Sequence, residues 1–285
     1  MAKPIKVGQY NTLSILREVP FGLYLDDGAE GILLPKRFVP PGAAVGQKLK
    51  VFVYHDGEGR LIATTQKPFG KVGDFVKLKV VQTTPQGAFL DNGLMKDLFV
   101  PRSRQIDNMR PGAAYLVHIY IDEQTGRITA TEKFDHLLSN QVLSVKEGDL
   151  VTLIAYRPTD LGWEMIVDGR HKGLLYHNEI FMAMEAGKQL EGYVKKIYAD
   201  GNKLDVALGR PGYTRIEDEA GKIMRLLQEA GGFLPYHDKT AAEDIYAYFG
   251  MSKKAFKMAV GKLYKEKLVA ISTDGIHHKK SLLSD

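Results

Sequence analysis

The sequence of 285 residues contains no cysteine. A chain without cysteine has no disulfide framework, no thiolate nucleophile and no cysteine-ligated metal. It also has a single tryptophan, no apolar run long enough to span a bilayer, and no signal-peptide core in residues 1–6. From these absences we expect a cytoplasmic protein that does not associate with membranes.

The charge of the chain is unevenly distributed. The formal net charge is +5, and residues 250–285 alone contain eight lysines against three acidic residues. The excess of positive charge therefore belongs to the C-terminal end, and the rest of the chain is nearly neutral. Anion binding elsewhere must come from individually placed residues rather than from bulk charge.

Glycines recur in pairs along the first 210 residues. The two members of every pair are 14 residues apart: Gly8 and Gly22, Gly73 and Gly87, Gly148 and Gly162. A short segment with an aromatic residue follows each second glycine, and a glycine-led half then closes each copy. These closing halves are residues 46–65, 112–131 and 187–208. A pattern that returns three times indicates a tandem repeat of small domains.

Each copy has the pattern of short β-strands. In the second copy, apolar Val76, Leu78 and Val80 alternate with residues 75, 77 and 79, which predicts a strand with one apolar and one solvated face. Phe75 falls on the solvated face of this pattern. Five short strands with glycine-rich turns suit a closed oligonucleotide-binding (OB) barrel, in which no sheet edge is left unpaired.

The last part of the chain changes to helical spacing. Residues 216–230 predict one helix, Thr240 is predicted to cap a second, and Ser252 a third. Two short strands with a tight turn follow at residues 268–279. Three helices and a hairpin describe a winged helix, which is a variant of the helix-turn-helix.

The predicted fold class is therefore a multidomain chain of three all-β OB barrels followed by a mainly α winged-helix domain. We place the barrels at residues 1–67, 71–134 and 146–210, and the winged helix at residues 214–285. Residues 134–145 are predicted to form a short helix or an ordered connector between the second and third barrels.

The motifs of the repeats resemble those of the S1 RNA-binding domain. They appear as Gly-Asp-Leu-Val at 148–151, Phe-Gly-Leu-Tyr-Leu-Asp at 21–26, Gly-Leu-Leu-Tyr-His-Asn-Glu-Ile at 173–180, and Asp122 before Arg-Ile-Thr-Ala-Thr at 127–131. Three such units with a C-terminal winged helix resemble the conserved virulence factor B family of bacterial RNA-binding regulators. The resemblance extends over nearly the whole chain.

The resemblance implies a set of residues that face RNA. Its aromatic members are Phe21, Tyr24, Phe89 and Tyr176. Bases stack on such rings with little sequence preference. The cations expected to hold phosphates beside them are Lys36, Arg37, Arg60, Arg102, Arg104, Arg127 and Lys203. The third helix of the winged domain adds Lys253, Lys254, Lys257 and Lys265.

Some positions depart from the family pattern. Leu34 and Val100 are assigned to the position where the family has histidine, and Gln86 replaces a common aromatic residue. Glu164 occupies the second aromatic position of the third copy, where a carboxylate repels phosphate. Either Trp163 then points inward by strand alternation, or the register slips by one residue. One or two barrels are therefore expected to act as spacers or protein-docking barrels.

We predict a regulator that binds single-stranded RNA and has no catalytic activity, cofactor or metal. No Walker loop, His-Glu-x-x-His motif or Ser/His/Asp arrangement is present. The alternatives are a winged-helix DNA-binding transcription regulator, a nuclease anchored by the barrels, and a protein-interaction adaptor on the translation machinery. DNA ranks lower because residues 253–265 contain no Arg, Asn or Gln to read base edges bidentately.

Overall fold

The computed structural model describes residues 4–180, 182–200, 202–208 and 215–279. These residues form three closed five-stranded barrels, three α-helices and a small three-stranded sheet. The predicted fold class is therefore confirmed.

The three barrels have the same strand order. The first contains β1 (Gln9–Val19), β2 (Gly22–Leu25), β3 (Ile32–Pro35), β4 (Lys48–His55) and β5 (Leu61–Thr64). The second contains β6 (Phe75–Thr84), β7 (Gly87–Leu90), β8 (Leu98–Pro101), β9 (Ala114–Ile121) and β10 (Ile128–Thr131). The third contains β11 (Leu150–Thr159), β12 (Gly162–Val167), β13 (His171–Tyr176), β14 (Gln189–Tyr198) and β15 (Lys203–Ala207). In each, the strands follow one another around the barrel as first, second, third, fifth and fourth.

A β-bulge in the first strand closes each barrel. The pairing register shifts between Ile15 and Arg17, between Val80 and Gln82, and between Ala155 and Arg157. A bulge bends its strand and increases its twist, which lets the first strand pair with the second strand at one end and the fourth at the other. The same geometry therefore recurs at the same place in all three copies.

The repeated glycines of the second strands mark a close approach of two backbones. A Cβ on Gly22, Gly87 or Gly162 would lie 2.1, 2.2 or 2.0 Å from a carbonyl oxygen of the neighbouring third strand. No side chain fits within such a distance. The glycines therefore recur in the sequence because the second and third strands of every barrel approach too closely for a side chain at this position.

Each barrel has its own apolar core, but Phe75 does not follow the predicted alternation. Phe75 was expected on the solvated face, yet it is only 3% exposed. It belongs to an apolar cluster between the second and third barrels, together with Phe134, Leu138, Ile154 and Ile166. The prediction was wrong because strand alternation describes one barrel and contains no information about a neighbouring barrel that covers its outer face.

The connector, residues 134–145, lies at the centre of the contact between the second and third barrels. It contains a single 3₁₀ turn, Asp135–Leu137, and Phe134 packs edge-on against Phe75 with the ring centres 5.0 Å apart. On its other side Phe134 meets Tyr156 at 5.1 Å. At the rim, Lys77 of β6 pairs with Glu185 at 2.8 Å. The second and third barrels are therefore packed together rather than loosely tethered.

The first and second barrels are joined by polar contacts. The amide of Val72 donates to the carbonyl of Gly8 at 3.0 Å, and the side-chain amide of Gln9 donates to the carbonyl of Val72 at 2.5 Å. Farther along, Lys96 Nζ donates to the backbone carbonyl of Asp56 at 2.6 Å. These bonds fix the face of the second barrel against the β4–β5 hairpin of the first.

The C-terminal domain has the predicted three helices and hairpin. The helices are α1 (Arg215–Glu229), α2 (Ala242–Phe249) and α3 (Lys253–Lys265), and the strands are β16 (Phe233–Leu234), β17 (Val269–Ile271) and β18 (Ile276–His278). β18 lies between β16 and β17 in the sheet. An apolar core shared by the helices and all three strands holds the domain together.

The predicted cap of α3 is confirmed, whereas that of α2 is wrong. Ser252 Oγ accepts a hydrogen bond from the amide of Ala255 at 3.2 Å. Before α2, however, the capping position is Ala241, which makes no side-chain cap. Thr240 Oγ1 instead accepts from the amide of His237 at 2.9 Å. Its hydroxyl closes the preceding turn, and the helix begins one residue later than a threonine cap would require.

Candidate nucleic-acid interface

One register position on the second strand of each barrel points away from the core. In β2 the flanking residues Leu23 and Leu25 are buried, whereas Tyr24 is half-buried. The cross-strand pairing makes Phe89 the equivalent of Tyr24 in the second barrel and Glu164 its equivalent in the third. The outer faces of the first two barrels therefore present a ring where the third presents a carboxylate.

In the first barrel this ring is stacked with a cation. The guanidinium of Arg17 lies 4.1 Å from the ring centre of Tyr24, a cation–π arrangement. Phe21 stands at the tip of the β1–β2 turn, is 57% exposed, and approaches Tyr24 edge-on at 6.5 Å. The two rings form an exposed aromatic surface at one end of the barrel.

The predicted phosphate-binding cations of the first barrel have different environments. Lys36 and Arg37 are exposed in the single 3₁₀ turn after β3. Arg60 is also exposed, but its guanidinium pairs with Asp56 at 2.8 Å and with Glu58 at 2.8 Å. These bonds hold the pKa of Asp56 below its usual range despite its desolvation. The charge of Arg60 is therefore largely balanced within its own hairpin.

In the second barrel the outward ring lies in a cleft. Phe89 of β7 and Phe99 of β8 have their ring centres 5.0 Å apart. They line a cleft of about 900 Å³, whose opposite wall is supplied by Phe52, Tyr54 and His55 of the first barrel.

Three cations and one histidine line the same cleft, and one of the cations, Lys71, is paired with Asp74 at 2.9 Å. Arg127 lies on the β9–β10 hairpin and makes no ion pair with any residue in the described ranges. Burial lowers the pKa of Lys96, and the nearby Arg127 adds to the effect. Burial likewise lowers the pKa of His55, with Lys96 and Arg127 contributing. Neither Lys96 nor His55 is part of the motifs quoted from the sequence, so neither was predicted as a site residue.

The other two predicted cations of the second barrel are exposed in the 3₁₀ turn after β8. Arg102 Nη1 donates to Gln105 Oε1 at 3.3 Å. The guanidinium of Arg104 lies 5.9 Å from the ring centre of Tyr120. Neither is neutralised by a carboxylate of the described residues, so both remain available to an anion.

The outer face of the third barrel is used internally. Glu164 pairs with Arg157 at 2.5 Å, and Asp135 of the connector pairs with Lys172 at 2.7 Å and with Arg157 at 3.8 Å. Burial, together with the adjacent Asp135, raises the pKa of Tyr156 to about 12. The charged groups on this face thus compensate one another and hold the connector in place.

Two predicted residues of the third barrel lie apart from this network. Tyr176 is half-buried at the end of β13, and Lys203 is exposed at the start of β15, 4.0 Å from the fully exposed Asp200. Trp163 is half-buried and packs against the third core, which is the inward orientation, the first of the two alternatives expected of it.

The position assigned to the family histidine must be corrected. Tyr176 lies opposite Gly162 in the β12–β13 pair. The residues opposite the corresponding glycines of the other barrels are Pro35 and Pro101 rather than Leu34 and Val100. Leu34 and Val100 are fully buried, because they lie one residue earlier on their strands and alternation turns them into the core.

The lysines of α3 lie on its solvent side. Lys254, Lys257 and Lys265 are exposed, and Lys253 is half-buried. Two apolar side chains on the same helix, Met258 and Tyr264, are 47% and 56% exposed. The buried side of the helix packs into the winged-helix core, so its basic side is left free.

Neither metal-binding clusters nor membrane-spanning helices occur in the described part of the chain. No group of three or more His, Asp or Glu residues in it could hold a metal ion. None of its helices is both long enough and apolar enough to cross a bilayer.

Comparison with known families agrees with this architecture. The S1 domain family matches residues 7–66 and 72–133, and the CvfB-like winged helix domain matches residues 221–277. The chain is thus a multidomain protein built from S1 barrels and a winged helix, a combination that suggests nucleic-acid binding. The third barrel lies outside the matched ranges but has the same strand order.

Curated relatives extend the match along the chain. Conserved virulence factor B from Staphylococcus aureus strains USA300 and NCTC 8325 is 29% identical over 243 residues, which cover 81% of this chain and 79% of the relative. The chain is therefore similar to conserved virulence factor B over most of its length, in agreement with the resemblance seen in its sequence. The crystal structure of a multidomain protein with nucleic acid binding domains from Streptococcus pneumoniae TIGR4 covers 95% of this chain and 98% of its own, at 22% identity and a TM-score of 0.42.

Proposed function

We propose that this protein is a non-catalytic regulator that binds single-stranded RNA on the outer faces of its barrels. The observation that carries the proposal is the outward ring at one register position of the first two barrels. Tyr24 lies beside Arg17, and Phe89 lines the same cleft as Arg127. A flat ring next to a cation matches a nucleotide, which offers a flat base and a charged phosphate.

Single strands fit these faces better than duplexes. The bases of a single strand are free to leave the stack and lie on an aromatic side chain, whereas duplex bases are already stacked on one another. Each stacked base contributes roughly 1–3 kcal/mol and tolerates any base identity. We therefore assign the barrels to binding with little sequence preference.

The third barrel has a different role in this proposal. Its equivalent face carries the Glu164–Arg157 pair and supports the connector through Asp135. A carboxylate at this position repels phosphate, and the neighbouring guanidinium is already paired. We assign the middle of this face to barrel docking and leave Tyr176 and Lys203 as peripheral contacts.

The winged helix adds cationic contacts. Its Lys254, Lys257 and Lys265 are free on one side of α3, and lysines of this kind neutralise phosphates without reading bases. The exposed Tyr264 beside them supplies one further ring. The same surface supports duplex DNA binding as the second candidate function, but only through the backbone of the duplex.

The proposal is tested by titrating the protein into a fluorescently labelled, unstructured oligoribonucleotide over a series of salt concentrations. We expect binding that weakens as salt rises, with a slope of about −0.7 per phosphate contact. Unlabelled single-stranded RNA should compete better than duplex DNA of the same length. Preferential competition by the duplex would reverse the ranking, and shortened RNA after incubation with magnesium would contradict the absence of catalysis.

A further inference from the structure

The cleft between the first and second barrels differs from an ordinary barrel face because it has two walls. One wall is the outer face of the second barrel, with Phe89 and Phe99. The other is the end of β4 in the first barrel, with Tyr54 and His55. A volume of about 900 Å³ lies within the range of pockets that enclose most of a small ligand.

The aromatic groups of the cleft are placed to hold a flat ring. Phe89 and Phe99 are both half-buried and tilted toward each other at 44°, so their faces are not fully used by the protein itself. Exposed Met95 stands at the mouth of the cleft. A flexible thioether makes favourable contacts with aromatic rings. These groups suit the base of a nucleotide.

The charged groups of the cleft favour an anion at its edge. Arg127 reaches across the barrel junction to within 3.4 Å of a Cβ placed on Gly59, and Lys96 also contacts the first barrel. Asp97 and Asp122 line the cleft as well. Asp122, however, is engaged by the amide and hydroxyl of Thr125 in its own hairpin. Burial raises the pKa of Asp97, with Asp91 contributing.

The first barrel contributes a polar group that its own fold leaves unused. Nδ1 of His55 is buried and has no hydrogen-bond partner among the described residues. A buried polar atom without a partner costs free energy. His55 lines the cleft, so a shift of its ring that brings this atom to the hydrogen-bonding edge of a ligand would remove that cost. Bases and ribose hydroxyls both have such edges.

We propose that this cleft is a two-walled pocket for a single nucleotide. The base lies against Phe89 and Phe99, its polar edge meets His55, and its phosphate meets Lys96 and Arg127. The nucleotide is either free or part of an RNA strand. In the second case the pocket deepens the proposed function, because both barrels then bind one strand as a unit.

The absence of native cysteine makes a blocking experiment simple. We would label Met95→Cys with a bulky maleimide at the mouth of the cleft, and label Val142→Cys in the same way as the matched control. Val142 is 83% exposed on the connector and does not line the cleft. Binding of adenosine 5′-monophosphate and of the oligoribonucleotide would be measured for both proteins.

We expect the label at position 95 to abolish mononucleotide binding and to weaken RNA binding about tenfold, which corresponds to the loss of one stacked base. The label at position 142 should change neither. Equal binding of both ligands by the two labelled proteins overturns the pocket while leaving the proposed function intact. A different result is also decisive. If the label blocks mononucleotide binding but the unlabelled protein does not bind RNA, the cleft is a pocket for a free nucleotide and the proposed function is overturned instead.

A second pair of variants tests the anion contact without filling the cleft. Arg127→Gln should reduce the preference for adenosine 5′-monophosphate over adenosine, and should lower the salt slope of RNA binding by about 0.7. Arg110→Gln removes an exposed arginine of the same barrel outside the cleft and should do neither. An unchanged preference in folded Arg127→Gln protein would contradict the assignment of the phosphate.

Discussion

Replacing Phe89 with alanine is expected to weaken RNA binding without unfolding the second barrel. The ring of Phe89 is half-buried, and its only aromatic partner among the described residues is Phe99 at 5.0 Å. Loss of this ring pair costs about 0.5–1.5 kcal/mol of stability, in addition to the apolar area that the half-buried ring no longer covers. The core of the barrel, which includes the flanking Ala88 and Leu90, is left in place.

The expected effect on binding is separate from the effect on folding. A base stacked on an aromatic side chain contributes roughly 1–3 kcal/mol, which corresponds to an increase in the dissociation constant of about 5- to 150-fold. The slope of binding against salt should stay the same, because no phosphate contact is removed.

Fluorescence anisotropy with the labelled oligoribonucleotide measures this change. Phe233→Ala is the matched control, since Phe233 is a partly exposed ring that stacks on His277 at 4.7 Å in the winged-helix sheet. Thermal unfolding would confirm that both variants are folded. If folded Phe89→Ala protein binds RNA with the same dissociation constant as the wild type, the proposal that RNA stacks on this ring is refuted.

The reverse change tests the same register position in the third barrel. Glu164→Tyr recreates the arrangement of the first barrel, because Arg157 occupies the place of Arg17. The lost ion pair is partly exposed, so its removal should cost at most about 1 kcal/mol of stability. We expect RNA to bind about fivefold more tightly or better. Unchanged or weaker binding would show that this face does not reach RNA.

Three further predictions concern the fold. Gly162→Ala should destabilise the third barrel by roughly 1–3 kcal/mol or more, since its Cβ would lie 2.0 Å from a carbonyl oxygen, whereas Gly57→Ala, with no atom within 4 Å, should be neutral in the same urea titration. Phe134→Ala should lower the free energy of unfolding by roughly 3–5 kcal/mol, because this ring is 1% exposed. Fluorescence of the single tryptophan, which lies in the third barrel, follows the unfolding. An unchanged unfolding midpoint would contradict the packing of the second barrel against the third. Burial lowers the pKa of His118 below 6.5 in the folded protein. As the pH falls, the imidazole is therefore protonated more readily in the unfolded chain than in the folded one. Stability should therefore fall as pH drops below about 6.5, and His118→Gln should flatten that decline.

The repeated barrels could be predicted from the sequence because their signal is steric and local. Gly22, Gly87 and Gly162 recur wherever a second strand touches a third, and a requirement of this kind appears directly in the spacing of residues. The RNA-facing position of Tyr24 and Phe89 was expected from the resemblance to the S1 domain, because strand alternation alone is also compatible with core positions. The winged helix was equally visible in its helical periods.

Features that depend on neighbouring barrels could not be predicted. Phe75 was placed on a solvated face because alternation within β6 gives no sign of the connector that covers it. Lys96 and His55 enter the cleft only because the first barrel docks beside the second. The error at Thr240 has another origin, since a threonine hydroxyl can close a turn as readily as it can cap a helix.

The most direct test of the central claim is photo-crosslinking of the protein to an unstructured oligoribonucleotide that contains 4-thiouridine, followed by identification of the crosslinked peptides. If RNA lies on the outer barrel faces, crosslinks should fall on residues 21–24 of the first barrel and on Phe89 or Phe99 of the second. Crosslinks confined to the winged helix, with none on either barrel face, would contradict the account.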